Sequence, residues 1–260
     1  MDDLWNLPIK LLDISKSEDL YPNHIYEKPG RYQTMRSIVA KHFGTRPIKI
    51  LEIGVFRAGL IKAMYNSELK ITTYEGVDPY MGNESDPYTG AYWNDSNESN
   101  GVYLSSKAIF DKYSQPLHRK TSTEFHKTLP GHDKYDLIVV DGDHTYRQAL
   151  WDMATWFYRI EKGGMMIVDD YANSDTPQVT KAVTDFIRLH RPNIKRMGYR
   201  SIEFLNRGKE IPTALTFVYF EPKDEIKRIE FVSEALSKNI SLRLLRRVFK
   251  VLKPFLEKLP

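Results

Sequence analysis

Residues 48–78 read IKILEIGVFRAGLIKAMYNSELKITTYEGVD, and the fold follows from how that stretch divides. IKILEI at 48–53 is a short apolar run of the kind a strand buried on both faces requires. Gly54 and Gly59 bracket a tight turn, and residues 59–67 carry apolar side chains at helical spacing. ITTYEGV at 71–77 returns to strand character, which closes a βαβ unit with two parallel strands.

Outward from this unit the alternation continues. Tyr32, Met35, Ile38, Val39 and Phe43 recur at helical spacing and predict a helix that ends near Gly44. On the other side, a helix is expected over 103–113, a short strand near Leu117 and a strongly buried strand at 136–141, DLIVVD. Tyr146, Ala149, Leu150, Met153, Trp156, Phe157 and Ile160 predict the next helix, stopped by Gly163 and Gly164. A strand at 165–169, a helix at 178–190 ending before Pro192, and an antiparallel pair at 199–205 and 214–220 complete the pattern. Such alternation predicts an α/β fold: a doubly wound, mostly parallel sheet with helices on both faces and a closing antiparallel strand pair. The chain divides into an N-terminal helical segment at 1–46, a main domain at 47–222 and a helical basic tail at 223–260. Residues 79–101, rich in Asn, Asp, Ser, Gly and Tyr, are too long and polar for an ordinary connection and read as a lid. Its Tyr80, Tyr88, Tyr92 and Trp93 suit either stacking on sugar rings or anchoring the loop to its own domain.

A length of 260 residues fits one such domain with decoration, and 41% apolar residues suffice for a sizeable core. With no cysteine, disulfides and thiolate chemistry are excluded, and a reducing compartment is the expectation. The amino terminus is acidic and lacks an apolar signal-like core, so a cytoplasmic protein is expected. The net charge of +4 is unevenly spread, because residues 238–260 hold seven Lys/Arg against one Glu. The remainder is weakly acidic, a poor surface for tracking phosphates, so no nucleic-acid partner is expected.

In doubly wound sheets ligands sit beyond the carboxyl ends of the strands, so the residues just past each strand are the candidates for chemistry. The first strand ends in ILEIGVFRAG, with Glu52, Gly54 and Gly59 around a turn where backbone N–H groups can meet a carboxylate or phosphate. A plain βα turn would need the same glycines. Asp78, at the end of the second strand, stands where an acid accepts hydrogen bonds from ribose hydroxyls, of a nicotinamide dinucleotide or of S-adenosylmethionine alike. Glu75 falls inside the strand. The third and fourth strands open into DGDHTY and VDDY, so Asp141, Asp169 and Asp170 supply hard oxygen ligands suited to Mg²⁺ or another divalent cation. Without a cation, three such carboxylates would repel one another. His144, three residues past Asp141, is a candidate general base, or else a helix-start residue hydrogen-bonded to a carboxylate.

Taken in order, ILEIGVFRAG, EGVDPY, YDLIVVDGDHTY and KGGMMIVDDY resemble the motifs of class I S-adenosylmethionine-dependent methyltransferases. Within that class the resemblance is to metal-dependent O-methyltransferases that modify sugars of macrolides and related bacterial glycans, and it spans about residues 30–220. It implies that Glu52 and Gly54 hold the methionine end of the cofactor, Asp78 its ribose and Ser122 its adenine side. It also implies that Asp141, Asp169 and Asp170 bind the metal, with Asp141 bordering the cofactor site as well, and that His144 is the base. The chain departs from the pattern at Phe56, where many methyltransferases have a second glycine. The implied partner is a small-molecule or glycan acceptor. Competing expectations are a catechol-type phenol methyltransferase, a nicotinamide-dependent oxidoreductase, and a non-catalytic cofactor- or glycan-binding module.

The tail carries Leu242, Leu245, Val248, Phe249, Leu252, Phe255, Leu256 and Leu259 on one helical face with Arg and Lys interspersed, divided by Pro254. A basic amphipathic helix at 241–259 suits peripheral contact with an anionic inner-membrane surface, or packing on the body or on a second subunit in a homo-oligomer.

Overall fold

The computed structural model describes residues 31–83, 85–86, 96–173, 175–204 and 213–224. The expectations for residues 1–30, for loop aromatics Tyr88, Tyr92 and Trp93, and for the amphipathic tail at 241–259 lie outside these residues.

The chain begins with α1 (Arg31–Phe43), followed by the βαβ unit β1 (Ile48–Ile53), α2 (Gly59–Tyr65) and β2 (Ile71–Val77). Then come α3 (Ser96–Lys112), β3 (Leu117–His118), α4 (Ser122–Thr128), β4 (Tyr135–Val140) and α5 (Tyr146–Trp156). The last described elements are β5 (Ile160–Val168), α6 (Pro177–His190), β6 (Ile194–Phe204) and β7 (Thr213–Pro222). The strands form one seven-stranded sheet in the order β3-β2-β1-β4-β5-β7-β6. β1 pairs in parallel with β2 and β4, β4 with β5, while β7 runs antiparallel between β5 and β6. The predicted doubly wound α/β fold with its closing antiparallel pair is what the structure has.

Each face of the sheet is covered. On one side α5 and α6 pack Leu150, Met153, Trp156, Val183 and Phe186 against Ile138 and Met166. On the other, α1, α2 and α3 bring Met35, Val39, Ile61, Met64 and Phe110 onto Ile50, Leu137 and Ile167. Strands buried on both faces are continuous apolar runs, which is why 48–53 and 136–141 are legible in the sequence.

Three boundaries differ from the sequence reading. The helix expected to run to Gly163 ends at Trp156, tightens into a 3-10 turn at Phe157–Arg159 and gives way to β5 at Ile160. Gly163 and Gly164 serve a bulge within β5 instead: Tyr135 pairs with Ile160 but Leu137 with Met165, so the β5 side carries extra residues. Gly163 has φ 73°, and a Cβ at Gly164 would meet the Asp136 carbonyl. α3 starts at Ser96, not near 103, which shortens the expected 79–101 loop. α4 was not foreseen, although Thr121 and Glu124 form a reciprocal capping box, a T-x-x-E signature present in the sequence.

Candidate active site

The parallel strands β1, β2, β4 and β5 end side by side, and backbone bonds extend their alignment one residue further. Gly54 N–H donates to Val77 C=O at 2.9 Å, Asp141 N–H to Ile53 C=O at 2.8 Å and Asp169 N–H to Val140 C=O at 2.9 Å. Asp141 and Asp169 are thereby delivered to the same rim as Gly54, with Asp78 next to Val77 and Asp170 next to Asp169 in the chain.

At the β1 side, Gly54 has φ 86°, and a Cβ there would collide with the carbonyl of Asp141. Glycine is required there by the close approach of two strand ends as well as by any ligand. Gly59 answers to a different neighbour, since a Cβ would strike the ring of Tyr32 on α1. Between them Phe56 and Ala58 hold φ 49° and 54°, a left-handed conformation that glycine adopts without strain. Phe56 therefore occupies a glycine-type backbone position with a side chain that stays exposed.

Asp78 organises this loop. Its Oδ2 accepts the N–H groups of Val55 and Phe56, both at 2.9 Å, and its Oδ1 accepts that of Tyr80 at 2.7 Å. Burial raises its pKa against these bonds. Glu52 is fully buried and accepts the Tyr74 hydroxyl at 2.8 Å, and burial pushes its pKa up to about 8. Glu75 sits inside β2 and pairs with Lys49 and His118, away from this rim. Ser122 lies in the first turn of α4 with its hydroxyl donated to Asp152 on α5 at 2.6 Å, a bond that Gln148 also joins.

The β4 and β5 ends hold the charged cluster. His144 stands just before Thr145, the N-cap of α5, between two carboxylates: Nδ1 is 2.9 Å from Asp86 and Nε2 is 2.9 Å from Asp170. Asp86 also accepts the His144 backbone N–H at 3.0 Å. Burial works to lower the His144 pKa, but the bonds from Asp170 and Asp86 outweigh it and raise it to about 10. Asp170 is pulled below its ordinary value because the His144 contact overrides its burial. It has φ 58° and accepts Asn173 Nδ2 at 2.9 Å.

Asp141 and Asp169 face a different cation. The Arg31 guanidinium is 3.1 Å from Asp141 Oδ2 and makes an ion pair with Asp169. Burial raises both carboxyls, Asp141 strongly and Asp169 to about 6, with Arg31 opposing the shift. Both Asp169 oxygens are buried with no hydrogen bond of good geometry. Arg31 thus supplies counter-charge that the sequence reading assigned only to a metal.

The structure brings together Asp141, His144 and Asp170, whose possible ligand atoms lie within 4.8 Å of one another, and sets Asp169 beside them on Arg31. In donor chemistry the carboxylates of Asp141 and Asp170 with the His144 imidazole fit a divalent cation, and the unbonded oxygens of Asp169 stand next to that group. Sequence reasoning missed Arg31 and Asp86. Neither had a local signal, because each meets its partner across a long chain separation, 110 residues for Arg31–Asp141 and 58 for Asp86–His144. A separate cavity of about 450 Å³, lined by Lys134, Thr155 and Arg159 among others, opens at the amino ends of β4 and β5 and shares no residue with this rim.

Residues 51–171 match a family described as a methyltransferase domain, a span that runs from β1 through the acidic rim. The sheet order places an antiparallel β7 between β5 and β6, unlike the 3-2-1-4-5-6 order of dinucleotide-binding sheets. Fold and match point the same way: the stretch that resembles a methyltransferase domain is the one that builds β1 to β5 and the acidic rim, a little under half of the chain. Among individual proteins, the chain is 26% identical over 152 residues to uncharacterized protein R132 of Acanthamoeba polyphaga mimivirus. That match covers 57% of this chain and 63% of the viral protein, less than two thirds of its length. Among solved structures, it is similar to the O-methyltransferase TomG of Streptomyces achromogenes in complex with SAM, involved in tomaymycin synthesis. There the TM-score is 0.45 at 12% identity, covering 85% of this chain and 91% of that one. It is also similar to an O-methyltransferase of Bacillus cereus in complex with SAH, with TM-score 0.46 and 10% identity over 73% of this chain and 80% of that one.

Proposed function

We propose that the chain is a divalent-metal-dependent O-methyltransferase that transfers a methyl group from S-adenosylmethionine to a hydroxyl of a sugar or glycan. The observation that carries this reading is His144, an imidazole gripped by Asp86 and Asp170 beside Asp141, on the rim next to the Gly54 turn. Glu52 and the Gly54 turn would hold the methionine end of the cofactor, and Asp78 supports the loop against which the ribose would lie. Because its hydroxyl is donated to Asp152, Ser122 would border the adenine side through its backbone and not through its oxygen.

A divalent cation held by Asp141, Asp169 and Asp170 would supply a Lewis acid for the acceptor hydroxyl. The chain's own part is alignment and proton handling. Asp86 fixes the Nδ1 side of His144, and Nε2 faces the cluster. With both nitrogens on carboxylates the ring is protonated, so acting as a base requires the Asp170 contact to loosen, leaving Nε2 as the acceptor. Asp86 then stabilises the imidazolium that forms. Because the sulfonium methyl is already activated, positioning carries most of the acceleration.

The test is a methyl-transfer assay with S-adenosylmethionine and Mg²⁺, offering sugar nucleotides and glycans in parallel with catechols. Transfer to a sugar hydroxyl is expected, abolished by a chelator and reduced about 10²- to 10⁴-fold by His144→Ala. Transfer to catechols alone would move the chain to the phenol-modifying enzymes. Cofactor binding without any transfer would make it a binding module.

A further inference from the structure

We propose that Arg31 is a built-in counter-cation for the acidic rim, competing with the divalent metal for Asp141 and Asp169, so that metal arrival releases the start of α1. The inference rests on the metal-dependent reading above and adds to it a residue from outside the strand ends.

Geometry brings Arg31 to this role. It is the first residue of α1, an element that packs on the face of the sheet opposite α5 and α6. Its guanidinium reaches over the ends of β4 and β5 to Asp141 Oδ2 and Asp169 Oδ2, two of the oxygens that would otherwise be offered to a metal. Three further features aim the side chain there. Its Nη2 donates to the Tyr32 hydroxyl at 2.9 Å, its guanidinium lies 4.8 Å from the Tyr32 ring centre, and that ring occupies the space left by Gly59.

One set of oxygens cannot serve both cations. A guanidinium holds carboxylates at hydrogen-bond distance, near about 2.8 Å, whereas Mg²⁺ or Mn²⁺ draws oxygens in to about 2.1 Å. Asp169 has no hydrogen-bond donor of good geometry besides this ion pair, so while Arg31 is seated the most buried of the three rim aspartates is neutralised. When a divalent ion takes these oxygens, the single charge on Arg31 is displaced, and α1 loses the ion pairs that anchor its first residue. Metal occupancy and the position of α1 are then linked, each opposing the other.

The experiment is a Mn²⁺ titration of the full chain, followed by the electron paramagnetic resonance signal of free Mn²⁺, for wild type, Arg31→Gln, Arg31→Lys and the surface control Arg36→Gln. Arg31→Gln is expected to bind Mn²⁺ roughly tenfold tighter or more than wild type, with Arg31→Lys between them and Arg36→Gln unchanged. Should the Gln variant fail to fold, the Lys variant decides, since its compact ammonium cannot bridge two carboxylates as the guanidinium fork does. Affinity in the Arg31 variants equal to or weaker than wild type overturns the competition while leaving the metal site standing. No Mn²⁺ binding by any of the proteins overturns both the competition and the metal-dependent reading.

Discussion

Glu52 carries the clearest electrostatic statement in the site. A carboxyl sealed under the sheet rim, with Tyr74 as its donor and a pKa near 8, is largely protonated at neutral pH in the ligand-free protein. In the unfolded chain it would ionise near its ordinary value of 4.5, so it removes stability as pH rises from about 4.5 through 8. The ammonium of a bound methionine moiety would favour the charged form. Cofactor binding at neutral pH is therefore expected to release a proton from Glu52, and affinity is expected to rise with pH up to about 8. Calorimetry in two buffers of different ionisation enthalpy measures this directly. The proton release should vanish in Glu52→Gln, and an unchanged release in that variant would place the proton elsewhere. The neighbouring residues show how one position answers to several demands: Gly54, proposed to let the cofactor approach, also spares the Asp141 carbonyl a collision, and Phe56 keeps glycine-like torsions without being glycine.

Among the elements, α6 holds a titratable group with no catalytic part. His190 is completely buried, stacked on Phe186 at 4.3 Å, with Nδ1 3.3 Å from the Phe186 carbonyl and Nε2 3.3 Å from the Tyr158 hydroxyl. A neutral ring protonated at Nδ1 satisfies both contacts, and burial lowers its pKa to about 4. The unfolded state takes up the proton near pH 6.5, so this stability is whole above pH 6.5 and lost as pH falls toward 4. Urea unfolding from pH 7 to pH 4 is expected to show about 3 kcal/mol less acid destabilisation in His190→Leu than in wild type. Parallel pH profiles for the two proteins would contradict it. At this scale the sequence was most legible where strands are buried on both faces, because β1 and β4 have little polar side to confuse their period. It was least legible where local signals have two meanings. Gly163 and Gly164 resemble a helix stop but relieve a bulge, and the polar run at 96–100 resembles loop but opens α3.

Across the molecule, topology explains both what could be foreseen and what could not. Parallel strands order their carboxyl ends along one rim, so Glu52, Asp78, Asp141, Asp169 and Asp170 could be grouped from sequence alone, each at its strand end or one or two residues beyond. Arg31 and Asp86 enter that rim from a helix and a loop, and only the folded path of the chain reveals them. Their arrival changes the electrostatic account, since the acidic cluster has protein cations, Arg31 and protonated His144, before any metal is considered. Among the described residues no helix is long and apolar enough to cross a membrane. On the proposed reading this rim binds S-adenosylmethionine next to a divalent-cation site. Isothermal calorimetry of S-adenosylmethionine binding, with and without Mg²⁺, on wild type and on Asp169→Ala/Asp170→Ala, tests it most directly. Wild type is expected to bind the cofactor with a heat that responds to Mg²⁺, and the double variant to bind it still but lose the response. No cofactor binding by wild type under either condition would contradict it.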